Sequence, residues 1–311
     1  MEKRRVKLEF DGQPITLNVD SGSPYTTVVS GDWYEQLYGK GSCKYVVSGC
    51  YFCPASDPCN LESLSNGKVD GISYGDGTRV VKVSMRSVTL KINNKIVRDF
   101  ILGLIINSTV VRKNRQPFGL LGLSVYSSAV GTALEMQPTF SAQLLQAGLV
   151  ARTTFSIRVE RFHQGLTGKL VFGSESPRNG VELPLWTGPH GGWLALDVAS
   201  AEIETKTSGD MRKVDLVRKG ENFAAVLDTG STAVIFNKAL FQLTLKAIES
   251  EYGLTNVDFT GRLSIIGAGY LSPKQSRRVS VLRASDGTVW TSCDNVTGES
   301  RVTISCSSTP Q

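Results

Sequence analysis

Two short segments of nearly identical sequence place the strongest limit on how this chain can fold. Residues 20–23 read Asp-Ser-Gly-Ser and residues 228–231 read Asp-Thr-Gly-Ser, so the two aspartates lie 208 positions apart. Each segment follows a run of mostly apolar residues, 15–19 in the first case and 223–227 in the second, of a kind that favours a β-strand. The recurrence of one turn after one kind of strand predicts two related halves, each with an aspartate at the end of a strand.

The residues after each aspartate can orient its carboxylate by hydrogen bonds, as a reactive carboxylate requires. Gly22 and Gly230 permit a sharp turn that leaves backbone N–H groups close to the acid, and Ser23 and Ser231 can donate hydrogen bonds to it. One such turn on its own is usually an ordinary turn capped by its aspartate. Two in matching contexts favour a shared role, because carboxylates that meet share one proton and the pKa of one of them rises. Such a pair can act as base and acid together.

The length and composition suit a two-lobed β protein. The 311 residues, of which 41% are hydrophobic, are enough for two lobes of about 150 residues each. Alternating patterns predict strands at 6–19, 79–92, 155–159 and 169–172, and helical patterns at 141–147 and 237–251. The predicted fold is mostly β, with two β-barrel-like lobes, 1–180 and 181–311, and a few short helices.

The six cysteines form two local groups. They are Cys43, Cys50, Cys53 and Cys59, followed much later by Cys293 and Cys306. Even numbers in local groups favour disulfides, whereas a zinc site is the alternative for the first group, although it contains only one Cys-x2-Cys spacing. Sequons begin at Asn107 and Asn295. Disulfides and sequons together predict a secreted protein or one in an endomembrane or vacuolar lumen, although no signal-peptide pattern is visible in the chain.

Charge and hydropathy argue against several other classes of protein. The net charge of +6 is dispersed without a long basic tract, so no nucleic-acid partner is expected. The longest mostly apolar stretch, 100–111, is shorter than the ~20 residues that a transmembrane helix needs. His163 and His190 lie in no recognisable catalytic pattern. We expect a monomer without a metal ion or cofactor.

The motifs taken together resemble the pepsin-like aspartic proteases, including their nepenthesin-like branch. Residues 72–78 resemble the flap hairpin of that family, and 118–123 resemble its hydrophobic-hydrophobic-Gly element. Residues 140–150 and 168–173 are similar to the helix and strand that complete the first lobe, and Trp193 resembles an aromatic residue that opens the second. The likeness extends over residues 6–293.

The resemblance implies an aspartic-type endopeptidase that cleaves extended polypeptides. Asp20 and Asp228 would activate a shared water and protonate the departing nitrogen. Ser21 and Thr229 would brace the two turns, and Tyr74 would cover bound peptide from the flap. The implied site residues are Asp20 and Asp228 as catalytic pair, Ser21, Gly22, Ser23, Thr229, Gly230 and Ser231 in support, and Tyr74, Gly75 and Asp76 at the substrate.

Two departures from the family pattern leave a second function open. Thr27 stands where these enzymes often have a tryptophan that bonds the flap tyrosine, so that bond is expected to be missing. Residues 264–267 resemble the second hydrophobic-hydrophobic-Gly element but come only 36 to 39 residues after the second aspartate, which predicts an abbreviated C-terminal lobe. The alternative is therefore a catalytically impaired homologue that binds peptide or protein in the same cleft.

Overall fold

A computed structural model gives the fold of residues 1–67, 69–74, 79–114, 116–124, 138–161, 167–173, 194–207, 210–215, 223–231, 233–235, 242, 246, 265–267, 278–282, 288–294 and 300–306. The chain divides into two compact units. The first comprises Met1–Ser176, Gly188–Leu194 and Asp228–Gly230, and the second comprises Pro177–Thr187, Ala195–Leu227 and Ser231–Gln311. The second acid turn therefore belongs to the first unit, while the predicted lobe boundary at 180/181 stays a prediction.

The first unit is built on a seven-stranded sheet. Its strands are β1 (Arg5–Phe10), β2 (Gln13–Asp20), β3 (Thr27–Val29), β4 (Asp70–Tyr74), β5 (Arg79–Ile92), β6 (Lys95–Ser108) and β7 (Leu120–Gly122). They run in the order β1-β2-β7-β3-β6-β5-β4, and β1 also pairs with β5, which curls the sheet into a barrel. A separate hairpin joins β8 (Phe155–Arg161) to β9 (Thr167–Phe172). The strands predicted at 79–92, 155–159 and 169–172 are confirmed.

The strand pattern at 6–19 proves to be a hairpin rather than one strand. Asp11 and Gly12 have φ of 46° and 78°, so both lie in the left-handed region that a two-residue hairpin turn requires. The turn sets the register of β1 on β2, from Arg5 opposite Asn18 to Phe10 opposite Gln13. An Asp-Gly pair between alternating residues is itself a hairpin signal, and it outweighs the continuous alternation.

In the described part of the first unit, three α-helices lie beside the barrel. They are α1 (Gly31–Tyr38), α2 (Leu61–Asn66) and α3 (Phe140–Gln146), with a 3-10 helix at Ser42–Tyr45. The side chains of Ser30, Asn60 and Thr139 accept the N-terminal hydrogen bonds of the three helices. The helix predicted at 141–147 is confirmed, and the one predicted at 237–251 falls outside the described residues except for positions 242 and 246. In the described part of the chain, no helix combines the length and apolar character needed to cross a membrane.

The main core lies inside the barrel and supports the strand that carries the first aspartate. Ile15, Leu17 and Val19 of β2 are almost completely buried and share a cluster with Phe10 and Phe100. These two rings pack with centroids 6.1 Å apart. Because β2 is anchored along its inner face, its final residue has a fixed position.

Four cysteines form two disulfides outside the barrel. Cys43 bonds to Cys50 and Cys53 to Cys59. The disulfide prediction is confirmed for this group, and the pairing leaves none of the four thiols free for zinc. The two later cysteines lie on neighbouring strands. Cys293 pairs with Ser300, which begins the strand Ser300–Cys306, and Cys306 ends that strand opposite Val198.

The second unit contains a six-stranded antiparallel sheet and a short pair. The strands are β10 (Ala195–Thr207), β11 (Asp210–Asp215), β12 (Phe223–Val226), β13 (Ala233–Ile235), β14 (Ile265–Gly267), β15 (Arg278–Leu282), β16 (Thr288–Asp294) and β17 (Ser300–Cys306). The larger sheet runs β11-β10-β17-β16-β15, with β12 also paired to β10, and β13 pairs with β14. The element predicted at 264–267 therefore forms a strand against β13.

Candidate active site

Strand β2 delivers Asp20 to the end of the barrel sheet, and β7 holds it there. The two strands run parallel, with Asp20 opposite Gly122. Beyond the paired residues, the Leu123 N–H donates to the Asp20 carbonyl at 2.8 Å and the Ser124 N–H to the Ser23 carbonyl at 3.1 Å. A Cβ atom on Gly122 would lie 2.5 Å from backbone atoms of the loop after the turn, so this position requires glycine. The predicted hydrophobic-hydrophobic-Gly element thus supports the acid turn directly.

The two acid turns share one local geometry. The Gly22 N–H donates to Asp20 Oδ1 at 2.9 Å, and the Gly230 N–H donates to Asp228 Oδ1 at 2.7 Å. In each turn the glycine two positions after the aspartate orients its carboxylate. The surroundings differ, since Asp20 is only 7% exposed whereas Asp228 is exposed.

A reciprocal pair of hydrogen bonds locks the two turns together. The Ser21 N–H donates to Thr229 Oγ1 at 3.1 Å, and the Thr229 N–H donates to Ser21 Oγ at 2.9 Å. The Thr229 hydroxyl also donates to the Val19 carbonyl at 3.0 Å. The predicted bracing pair is therefore in contact, and it fixes both turns at once.

The two carboxylates lie side by side. A Cβ atom added to Gly22 would lie 2.7 Å from Asp228 Cγ, and one added to Gly230 would lie 2.5 Å from Asp20 Cγ. Each turn therefore presses its glycine against the carboxylate of the other, and a side-chain hydrogen bond joins Asp20 to Asp228. The structure brings together the two aspartates that the sequence singled out.

The surroundings favour the protonated form of Asp20. Burial, followed by the negative charge of Asp228 and the hydrogen bond to it, raises the pKa of Asp20 to about 7. The Gly22 N–H and the positive charge of Arg4 oppose this rise. Near neutral pH the pair can therefore hold one proton between two carboxylates.

Arg4 is a residue of this site that the sequence patterns did not single out. Its Nη1 donates to the carbonyl oxygens of Thr229 and Gly230, at 3.0 and 3.2 Å. A short run of Lys and Arg such as residues 3–5 is usually a solvent-exposed cluster. The signal that could have found Arg4 is the hairpin register, because Arg5 opposite Asn18 places its neighbour beside the last residues of β2.

The flap tyrosine reaches the neighbourhood of the acid pair. Tyr74 ends β4 opposite Arg79, and its hydroxyl oxygen is buried. Burial, with a smaller contribution from the charge of Asp20, raises the pKa of Tyr74. The Thr27 hydroxyl is a polar neighbour that opposes the rise, yet neither hydroxyl has a partner in hydrogen-bond geometry among the described residues. Gly75 and Asp76, predicted to touch substrate, fall outside the described residues.

The serines at the ends of the turns remain predictions in their assigned role. Ser23 is buried, and its hydroxyl accepts from the Tyr25 N–H at 3.3 Å. Ser231 is half-buried and belongs to the second unit. Within the described ranges, no three His, Cys, Asp or Glu side chains are grouped as metal ligands.

Comparison with known proteins agrees with this arrangement. The family model for eukaryotic aspartyl protease matches residues 5–310. The structure is similar to the crystal structure of the aspartic proteinase from Irpex lacteus, with a TM-score of 0.56 and 13% sequence identity over 95% of this chain and 74% of that chain. No curated protein sequence matches the chain. With a mostly β fold of the pepsin-like type and a family match over nearly its whole length, this chain belongs to the eukaryotic aspartyl proteases, and its general function is that of a peptidase.

Proposed function

We propose that the protein is an aspartic endopeptidase in which Asp20 and Asp228 act as one acid–base pair. The observation that carries this proposal is the contact between the two carboxylates, with each held by its own glycine N–H and faced by the glycine of the other turn. The raised pKa of Asp20 supports it, because a shared proton is what such a pair needs.

In the proposed mechanism the ionised carboxylate accepts a proton from a water molecule as that water attacks the peptide carbonyl. The protonated carboxyl donates its proton toward the carbonyl oxygen, so a neutral gem-diol forms. The carboxyl that took the water proton then donates it to the amide nitrogen, while the ionised carboxylate accepts a proton from a gem-diol hydroxyl. The C–N bond breaks, the carbonyl of the new carboxylic acid forms, and the pair again holds one proton. Asp20, with the raised pKa, is assigned the proton in the resting pair.

The substrate is proposed to be a polypeptide in extended conformation. Tyr74, with Gly75 and Asp76, is assigned to cover it as a flap, and the buried Tyr74 hydroxyl near Asp20 supports this role. A secreted or lumenal location is proposed for the enzyme. The two disulfides support an oxidising compartment.

The second candidate is a relative that binds peptide without cleaving it. The observation that favours it is the unequal exposure of the two carboxylates, Asp20 being buried and Asp228 exposed. A pair in unequal surroundings can bind a ligand without being positioned for proton transfer.

The test is digestion of a mixed peptide library by the purified protein from acid to neutral pH, with products identified by mass spectrometry. We expect cleavage by the wild type, and a loss of at least about 10³-fold in kcat for Asp20→Asn or Asp228→Asn. A hydroxyl-containing transition-state mimic should block the cleavage.

Asp99→Asn is the matched control. Asp99 is exposed and has φ of 54°, which asparagine also tolerates, so this substitution removes one carboxylate without touching the site. Peptide binding without products would favour the second candidate. Cleavage that persists in Asp20→Asn would contradict both.

A further inference from the structure

Arg4 reaches the acid pair from a tight turn at the start of β1. Lys3 and Arg4 have φ of 47° and 63°, and the Glu2 and Arg5 backbones exchange N–H···O bonds of 2.9 and 2.8 Å around them. Two successive residues with positive φ define the turn type that matches the twist of a hairpin. The turn therefore aims the Arg4 side chain in a direction set by the backbone.

The turn is fastened on two sides. The Val19 N–H, one residue before Asp20, donates to the Arg4 carbonyl at 2.8 Å. The Lys3 N–H donates to Thr167 Oγ1 at 3.0 Å, and the Gly168 N–H donates to the Met1 carbonyl at 3.0 Å. Arg4 is thus tied to the strand of the first aspartate through its backbone and to the turn of the second through its side chain.

The charge of Arg4 acts on both carboxylates. Burial lowers the pKa of Arg4, and the negative charges of Asp228 and Asp20 oppose this change by favouring the charged guanidinium. An arginine keeps its charge throughout the working range of a peptidase, so it supplies a constant positive field. Among the described residues, Arg5 lies near Arg4 and disfavours its charged form, and its Nε donates to Asn18 Oδ1 at 3.3 Å. Tyr74 lies near Asp20.

We propose that Arg4 is a positioning residue of the peptidase site, which holds the carbonyl oxygens of the second acid turn and sets the pH range in which the carboxylate pair works. The inference rests on the proposed endopeptidase function. It assigns Arg4 two separable roles. The bonds to the Thr229 and Gly230 carbonyls hold Asp228 beside Asp20, and the positive charge favours ionisation of the pair.

The experiment compares kcat and KM across pH for wild type, Arg4→Met, Arg4→Lys and Lys3→Met. Loss of the positive charge disfavours ionisation of the coupled pair, so in Arg4→Met both limbs of the kcat/KM profile should move to higher pH by about one unit. Its kcat should fall by roughly 10-fold with little change in KM, because the role assigned to Arg4 is to hold the second acid turn and not to bind substrate. Arg4→Lys should keep the limbs in place and lose part of kcat, because lysine offers the charge without the rigid fork.

Lys3→Met is the matched control, since Lys3 is exposed, has a similar backbone conformation and carries the same charge in the same turn. We expect its profile to match wild type. Coinciding profiles for Arg4→Met and wild type, or an equal shift in Lys3→Met, would overturn the inference. If Arg4→Met does not fold, an unchanged kcat in Arg4→Lys overturns it and a lowered kcat with unmoved limbs supports it.

A titration of ¹³C-labelled aspartate carboxyls by NMR separates this inference from the proposed function. The resonances are assigned with Asp20→Asn and Asp228→Asn. A wild type that cleaves nothing overturns the endopeptidase proposal, while a higher titration midpoint in Arg4→Met still supports the role of Arg4. A wild type that cleaves, with identical midpoints in both proteins, overturns the role of Arg4 alone.

Discussion

Ser21 and Thr229 exchange hydrogen bonds across 208 positions of sequence, each hydroxyl accepting from the backbone N–H of the other. Each of these residues directly follows an aspartate of the acid pair, so the bonds fix the separation of the carboxylates through one peptide unit on each side. Thr229 adds a bond to the Val19 carbonyl, which ties the second turn to the strand that ends at Asp20. We call the Ser21–Thr229 pair the brace. Because it bonds both turns and the end of β2, a change in the brace should also move the carboxylates.

Thr229→Val tests the brace with almost no change in side-chain volume. It removes the bonds of Thr229 Oγ1 to Ser21 N–H and to the Val19 carbonyl, which leaves a partly buried donor and acceptor unpaired and should cost about 1–3 kcal/mol in the free energy of unfolding. Chemical denaturation measures that cost. We also expect kcat to fall by roughly 10- to 100-fold as the carboxylates separate.

Thr229→Ser retains the hydroxyl and serves as the control, with stability and kcat close to wild type. Combined with Ser21→Ala, Thr229→Val completes a double-mutant cycle. The coupling free energy should be about 0.5–3 kcal/mol. If the stability losses of the two single variants simply add in the double variant, the two hydroxyls act independently, and the Ser21–Thr229 pair does not work as a brace.

Alanine at Gly22 or Gly230 should disrupt the acid pair through contact alone. The new Cβ would lie 2.7 Å from Asp228 Cγ in the first case and 2.5 Å from Asp20 Cγ in the second, so one carboxylate has to move. We expect kcat to fall by about 10²-fold or more in either variant, measured with the best peptide from the library. Gly71→Ala is the control, because its Cβ would meet only a Val80 methyl at 3.6 Å, an ordinary contact. Full activity in Gly230→Ala would show that the turns lie further apart than described.

The raised pKa of Asp20 predicts how stability depends on pH. Since the folded-state pKa is about 7 and the unfolded value is near 3.8, the folded protein holds an extra proton between these values. The free energy of unfolding therefore contains the full contribution of the protonated Asp20 carboxyl below about pH 4. This contribution is lost as the pH rises toward 7, because the buried carboxyl must then ionise. Asp20→Asn, which cannot ionise, should be more stable than wild type at about pH 8, by something on the order of 2 kcal/mol, and the difference should vanish near pH 4.

Urea denaturation at the two pH values measures this difference. Asp99→Asn again provides the control, because it makes the same substitution at an exposed position outside the site. A stability gain for Asp20→Asn that is equal at both pH values would mean that the carboxylate is not held protonated by its surroundings.

The acid turns could be predicted from sequence because their chemistry is local. An apolar strand followed by Asp, a small hydroxyl residue and Gly specifies the turn, and the bonds from Gly22 and Gly230 to the preceding aspartates follow from it. The closed order of the barrel was harder to foresee. The parallel pairing of β2 with β7 joins residues about 100 positions apart, and no local pattern encodes it.

Arg4 shows why the rest of the site was missed. Its position depends on a hairpin register, a turn with two left-handed residues and an acid turn more than 200 positions away. The register, the turn and the position of the second acid turn are each decided by packing and not by the type of residue 4. In addition, an arginine among basic neighbours is usually solvent-exposed. Tyr74 was singled out from the sequence, and its role in a flap stays a prediction. Its neighbour Thr27 was identified only by the tryptophan that it replaces, and the burial of the Thr27 hydroxyl was not anticipated.

Thr27→Val tests whether that buried hydroxyl contributes anything to the fold. Thr27 is fully buried, and neither its Oγ1 nor the Tyr74 hydroxyl has a hydrogen-bond partner among the described residues. Replacing an unpaired buried hydroxyl with a methyl group of similar volume removes a desolvation penalty, so the variant should be as stable as wild type or more stable by about 1 kcal/mol. Thr229→Val, the same substitution at a hydroxyl with two bonds, should lose stability under the same denaturation. A loss of more than about 1 kcal/mol in Thr27→Val would instead establish a hydrogen bond between Thr27 and Tyr74, and with it a direct link from the barrel to the flap.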